Sequence, residues 1–167
     1  MKRLLSIIGA ITLVGTSTTS LVACNTPHEY TPEELAKLKE ENKINTTDET
    51  IRDNLEWIAP QEKPFDDKNN KWYYIVWKKQ NWVITKTFKD YSIEAGKEYN
   101  IYKDDNYELK FFKYPENNAS LYYYNNDVFR EWGQNDYKNY IKSVYRWNLN
   151  TTEPNLIVDD KGNIKQS

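Results

Sequence analysis

Histidine and cysteine each occur once in the 167 residues, as His28 and Cys24. A single histidine near the start of the chain leaves no Ser–His–Asp or Cys–His pairing, because each needs an imidazole as its base. A single cysteine makes no internal disulfide, and the two residues together fall short of the four ligands of a structural zinc site. Five glycines supply no phosphate-cradling loop and no G-x-S-x-G elbow. No apolar run reaches the ~20 residues needed to span a bilayer core. Basic residues do not dominate either. The formal net charge is −2, which argues against a nucleic-acid partner. The expectation is a protein without metal, cofactor or catalytic machinery.

The chain does have an organised start. Lys2 and Arg3 precede an apolar stretch from Leu4 to Val14, followed by small and polar residues and then Leu21-Val22-Ala23-Cys24. This order is that of a secretory signal. Leu21-Val22-Ala23-Cys24 resembles the lipobox of bacterial lipoproteins, and the leader as a whole is similar to those of mollicute surface lipoproteins of the spiroplasma type. The resemblance ends with the leader. It implies cleavage between Ala23 and Cys24, and a diacylglyceryl group (palmitate is a typical acyl chain) on the Cys24 thiol. It also implies a location on the outer side of the cell membrane. Two acyl chains anchor stably where one is marginal. Residues 1–23 carry Lys2 and Arg3 and no acid, so their removal takes the net charge from −2 to −4.

Three segments are expected. Residues 1–23 are the signal peptide, 24–64 a lipid-anchored tether with short helices, and 65–167 an aromatic-rich sheet domain. Within the tether, Thr31-Pro32-Glu33-Glu34 combines an N-cap, a proline suited to the first helical position and a capping-box glutamate. A second capping signal at Thr46-Thr47-Asp48-Glu49 precedes Ile51, Leu55 and Ile58, which share a helical face. From Lys71 the period changes. Trp72–Trp77, Trp82–Phe88, Glu98–Lys103, Tyr107–Tyr114 and Leu121–Tyr124 read as strands separated by polar turns. Tyr137, Tyr140, Ile141, Val144 and Tyr145 fall at helical spacing and predict a helix over 135–147. Leu156–Val158 suggests a last strand. The expected fold class is α+β: a small antiparallel β-meander or partly closed sheet, with an N-terminal helical segment and a C-terminal amphipathic helix.

The chemistry-bearing candidates are few. Asp66-Asp67, Asp104-Asp105 and Asp159-Asp160 lie in Asn-rich loops, where aspartate forms turns by accepting from its own backbone. Asn45-Thr46-Thr47, Asn118-Ala119-Ser120 and Asn150-Thr151-Thr152 match the glycan-acceptor pattern, which arises by chance in an Asn-rich chain. Glu94, Glu98 and Glu108 are the carboxylates to test if the chain were a hydrolase. Aromatics make up 15% of the chain, more than one sheet and one helix can hide, so some should face solvent. Trp77, Trp82, Tyr122, Tyr123 and Tyr124 are the candidate ligand contacts, since exposed Trp and Tyr anchor interfaces. The reading is a membrane-anchored, non-catalytic binding domain acting in adhesion, with a host surface protein or glycan as partner. The alternatives are an abundant coat lipoprotein, a small accessory subunit and a carboxylate-dependent hydrolase.

Overall fold

The computed structural model describes residues 29–116, 118–134 and 136–167. The leader, the lipobox with Ala23 and Cys24, and His28 lie outside the described residues.

The first helix, α1 (Pro32–Glu41), starts as the capping signal dictates. Thr31 Oγ1 accepts from Glu34 N at 3.3 Å, and the Glu34 carboxylate accepts from Thr31 N at 2.9 Å. None of its residues is buried, so charge rather than apolar packing fixes it. Lys39 donates to the carboxylates of Glu56 and Glu62. Just before α1, Tyr30 N donates to Gln61 Oε1 at 2.6 Å while Gln61 Nε2 donates to Tyr30 O at 2.9 Å.

The second helix, α2 (Glu49–Asn54), stops after one and a half turns. The expected continuation through Ile58 is instead a strand, β1 (Leu55–Ile58), paired antiparallel with β8 (Ile141–Trp147). Leu55 and Ile58 belong to two different apolar clusters. A strand sends neighbouring side chains to opposite faces and serves both clusters, which one helical stripe would not.

The strands between are β2 (Trp72–Lys78), β3 (Trp82–Phe88), β4 (Glu98–Lys103), β5 (Tyr107–Lys113), β6 (Ala119–Asn125) and β7 (Val128–Glu131). They do not form one meander. One four-stranded sheet has the order β1-β8-β2-β3, and a second the order β4-β5-β6-β7. A small hairpin of β9 (Leu156–Val158) and β10 (Ile164–Gln166) stands apart. All the pairings are antiparallel. The fold is therefore mostly β, two antiparallel sheets facing each other, and the α+β expectation does not hold.

The expected helix over 135–147 is the largest error. Residues Tyr137–Asn139 make only a short 3-10 turn, and the rest is β8, the strand between β1 and β2. A strand covered on both faces carries apolar residues on both, so strict alternation disappears. In β8, Ile141, Ser143, Val144, Tyr145 and Trp147 are all buried, with a register shift against β2 at Val76/Trp77. That spacing imitates a helix.

Sheet faces explain the core. Tyr73, Ile75 and Trp77 of β2 look inward and pack with Leu109, Phe111, Leu121 and Tyr123 of the second sheet. Burying each aliphatic side chain of this kind contributes about 2 kcal/mol. On the opposite face of β2, Tyr74 and Val76 meet Tyr145 and Trp147. Ile44 and Ile51 from the N-terminal segment and Leu156 and Ile164 from the hairpin cover them. Residues expected in the tether thus contribute to the core. The first sheet is covered on both faces; among the described residues no helix or hairpin covers the outer face of the second.

Candidate functional site

The outer face of the second sheet is set by alternation. Leu109, Phe111, Leu121 and Tyr123 point inward, so Glu108, Lys110 and Phe112 of β5 and Ser120, Tyr122 and Tyr124 of β6 point outward. Register then sets neighbours: Lys110 faces Tyr122, Tyr122 faces Glu131, and Tyr124 faces Phe129.

Half of this face is aromatic. The Tyr122 and Phe129 rings stack at 4.9 Å between centroids and 20° between planes. Phe112 meets Tyr114 edge-on at 5.1 Å and Tyr122 at 6.4 Å. Stacked and edge-to-face pairs each contribute about 1 kcal/mol beyond burial, so the rings support one another. Its centre is dry: Tyr122 is only 3% exposed, whereas Tyr124 is 38% and Phe129 54% exposed. The Tyr114 and Tyr122 hydroxyls hydrogen-bond to each other, and Glu131 Oε2 accepts from Tyr114 at 3.4 Å and from Gln134 Nε2 at 2.6 Å. Burial first, then the Tyr114 hydroxyl and the Glu131 charge, hold the Tyr122 phenol well above its ordinary value.

The other half is a charge ladder. Lys110 Nζ lies 2.8 Å from Glu98 Oε2 and 3.3 Å from Glu108 Oε2, and Lys103 Nζ lies 2.5 Å from Glu108 Oε1. The Lys103 hydrogen bond, against a smaller cost of burial, lowers the Glu108 carboxyl. Two of the three carboxylates considered for hydrolysis are therefore spent on lysines, and the third, Glu94, is exposed.

The five aromatic candidates divide. Trp77 is fully buried, its indole N–H donating to Thr85 Oγ1 at 2.8 Å, and its ring against Tyr102, Tyr107 and Tyr123. Tyr123 is 1% exposed, and its hydroxyl accepts from Asn125 Nδ2 at 2.8 Å. Neither presents a surface to a ligand. Trp82 is half-buried with the Lys78 ammonium over its ring at 4.8 Å, on the other sheet. Tyr122 and Tyr124 belong to the outer face, Tyr122 as its support and Tyr124 at its surface. Phe129 and, on β4, Tyr99 at 43% exposed are the rings that the sequence reading missed. The turn-forming Asn126-Asp127 pair after Tyr124 was the available signal for a further hairpin strand.

Two of the three aspartate pairs behave as turn formers, whereas Asp66 Oδ1 accepts from Ala119 N at 2.8 Å, 53 positions along the chain. Asp104 Oδ1 accepts from Asn106 N at 2.9 Å and Tyr107 N at 2.8 Å, and Asp159 Oδ1 from Lys161 N at 3.0 Å and Asn163 N at 2.8 Å. Among the described residues, no cluster of three or more His, Cys, Asp or Glu is arranged to hold a metal, and no helix is long and apolar enough to cross a membrane.

Comparison with family models, curated proteins and solved structures finds no match to this chain.

Proposed function

We propose that this chain is a membrane-anchored surface lipoprotein whose β domain binds a partner on a host surface without catalysis. The lipobox carries the anchoring half of this reading. The observation that carries the binding half is the outer face of the second sheet, where Phe129 and Tyr124 stand exposed on a supported aromatic base. Phe129, already held by its stack on Tyr122, loses little rotamer freedom on binding, so more of its contact energy becomes affinity. The exposed rings lie on β6 and β7 beside the charge ladder of β4 and β5, so one face offers a partner both apolar contact and ion pairing.

The test is adhesion by cells that display the full chain. Cys24→Ser is expected to release the protein from the membrane fraction. Phe129→Ala with Tyr124→Ala, in a protein still displayed, is expected to abolish saturable binding to host cells. Unchanged adhesion by that double variant would sink the binding role of this face, and a coat role judged by copy number would replace it.

A further inference from the structure

A second site lies at one end of the molecule, where the β2–β3 turn approaches the β4–β5 turn. The two turns and the strands beside them enclose an open cleft of about 330 Å³ lined by Lys79, Gln80, Asn81, Val83, Asp104, Asn106 and Tyr107. We propose that this cleft binds one neutral sugar ring, independently of the aromatic outer face.

Lys79 is the fixed point. Its ammonium donates to Asp104 Oδ2 at 2.7 Å and to Tyr102 Oη at 2.6 Å, and it lies 4.5 Å from the Tyr102 ring centre and 5.6 Å from that of Tyr107. An ammonium has three donors. Two are committed, and no acceptor among the described residues takes the third. The Asp104 carboxylate has nothing left to offer: Oδ2 also accepts from Tyr102 Oη at 2.7 Å, and Oδ1 accepts two backbone N–H groups. The charge of Lys79 is therefore balanced by Asp104 while one of its N–H groups has no hydrogen-bond acceptor among the described residues. Such a group favours a neutral hydroxyl over an anion.

The remaining lining fits the same chemistry. Gln80, Asn81 and Asn106 are exposed amides, each able to donate and to accept. A sugar hydroxyl does both. Val83 and the Tyr107 ring supply an apolar wall for the C–H face of a pyranose. The volume sits at the low end of the ~300–1,000 Å³ typical of small-molecule sites, which suits one ring rather than a chain of them.

The experiment records amide nitrogen–proton spectra of the full chain in detergent micelles. The chain is titrated separately with methyl glucoside, methyl galactoside, N-acetylglucosamine and, as an anion control, acetate. Saturable shifts confined to residues 79–83 and 104–107 are expected with at least one sugar and not with acetate. Gln80→Ala and Asn106→Ala, both at exposed positions, should each weaken that binding about tenfold, or about 1.4 kcal/mol. Silence from all three sugars overturns the site. So does an equal response to acetate, which would make it an anion site, or a sugar response centred on Tyr124 and Phe129. No host cell is involved, so failure here leaves the adhesion reading standing, and failure of adhesion leaves the cleft standing.

Discussion

Arg146 Nη2 donates a 2.6 Å hydrogen bond to Glu56 Oε2, joining two strands whose residues lie 90 positions apart. Glu56 also accepts from Lys39 of α1 and, at 3.0 Å, from Asn148 Nδ2. One carboxylate thereby fastens the first helix to the β1–β8 ladder. Burial by itself would raise its pKa, but the hydrogen bonds from Lys39, Asn148 and Arg146 outweigh that and bring it down to about 2.

Glu56→Gln should therefore destabilise the fold by about 2 kcal/mol at neutral pH, because it strips the charge that pairs two half-buried cations. The wild-type carboxyl is depressed in the folded state, so its contribution is present above the unfolded value near 4.3 and lost as pH falls through about 2. Urea unfolding at pH 7 and at pH 2 checks both parts. The gap between variant and wild type should narrow in acid, and a gap that stays constant would refute the linkage.

Lys89 gives the opposite sign. It is 0% exposed, and its ammonium donates to Tyr91 O at 2.7 Å with its charge 4.8 Å from the Tyr91 ring centre. Burial, reinforced by the charge of Lys113, lowers its pKa despite Asp67, Asp66 and Asp90. Between the lowered folded value and the unfolded value near 10.4, the unfolded chain binds more protons, so stability rises with pH across that window. Lys89→Met should remove this slope and stabilise the fold by about 1 kcal/mol at pH 7. Urea midpoints from pH 7 to pH 10 measure both effects.

Aromatic substitutions should split by burial. Trp77→Ala empties the centre of the inner core and should cost about 3–5 kcal/mol. Phe129→Ala removes a ring that is 54% exposed and should cost no more than about 1 kcal/mol. Thermal unfolding distinguishes the two. A loss of adhesion in Trp77→Ala would report a damaged fold and not a lost contact.

Gly162 is a positional test of the hairpin. Its φ is +78°, and a Cβ there would come within 2.8 Å of Lys142 Cδ and 2.9 Å of the Trp82 ring. Gly96 has a φ of +76° with nothing within 4 Å. Gly96→Ala should cost the left-handed backbone penalty of about 1–2 kcal/mol. Gly162→Ala should cost more, and hydrogen exchange should speed up first in β9 and β10. Equal costs would mean that the Trp82 ring yields freely.

Local signals in the sequence were sufficient for local structure. The capping box at Thr31, the β2–β3 and β4–β5 hairpins and the turns at Asp104 and Asp159 each depend on residues a few positions apart, and each was legible. The partition into two sheets was not, because it depends on β8 pairing with β1 and β2 from far along the chain. β8 itself was misread because burial on both faces erased its alternation. The aromatic surplus correctly pointed to exposed rings, but not to which. Trp77 lies inside because its strand runs through the middle of the fold, and Phe129 lies outside because its sheet has one bare face.

The reciprocal pair between Tyr30 and Gln61 has a mechanical consequence. If Cys24 carries the lipid, only six residue steps separate the bilayer from this fastening, and even a fully extended chain covers about 20 Å over that length. Such a domain has a short leash. So tethered, it would not sweep out a large volume in search of a distant target, and it would engage only what is brought close to the cell. Many weak copies held at the same height would then act together, so the strength of attachment would follow surface density more than the affinity of any single molecule.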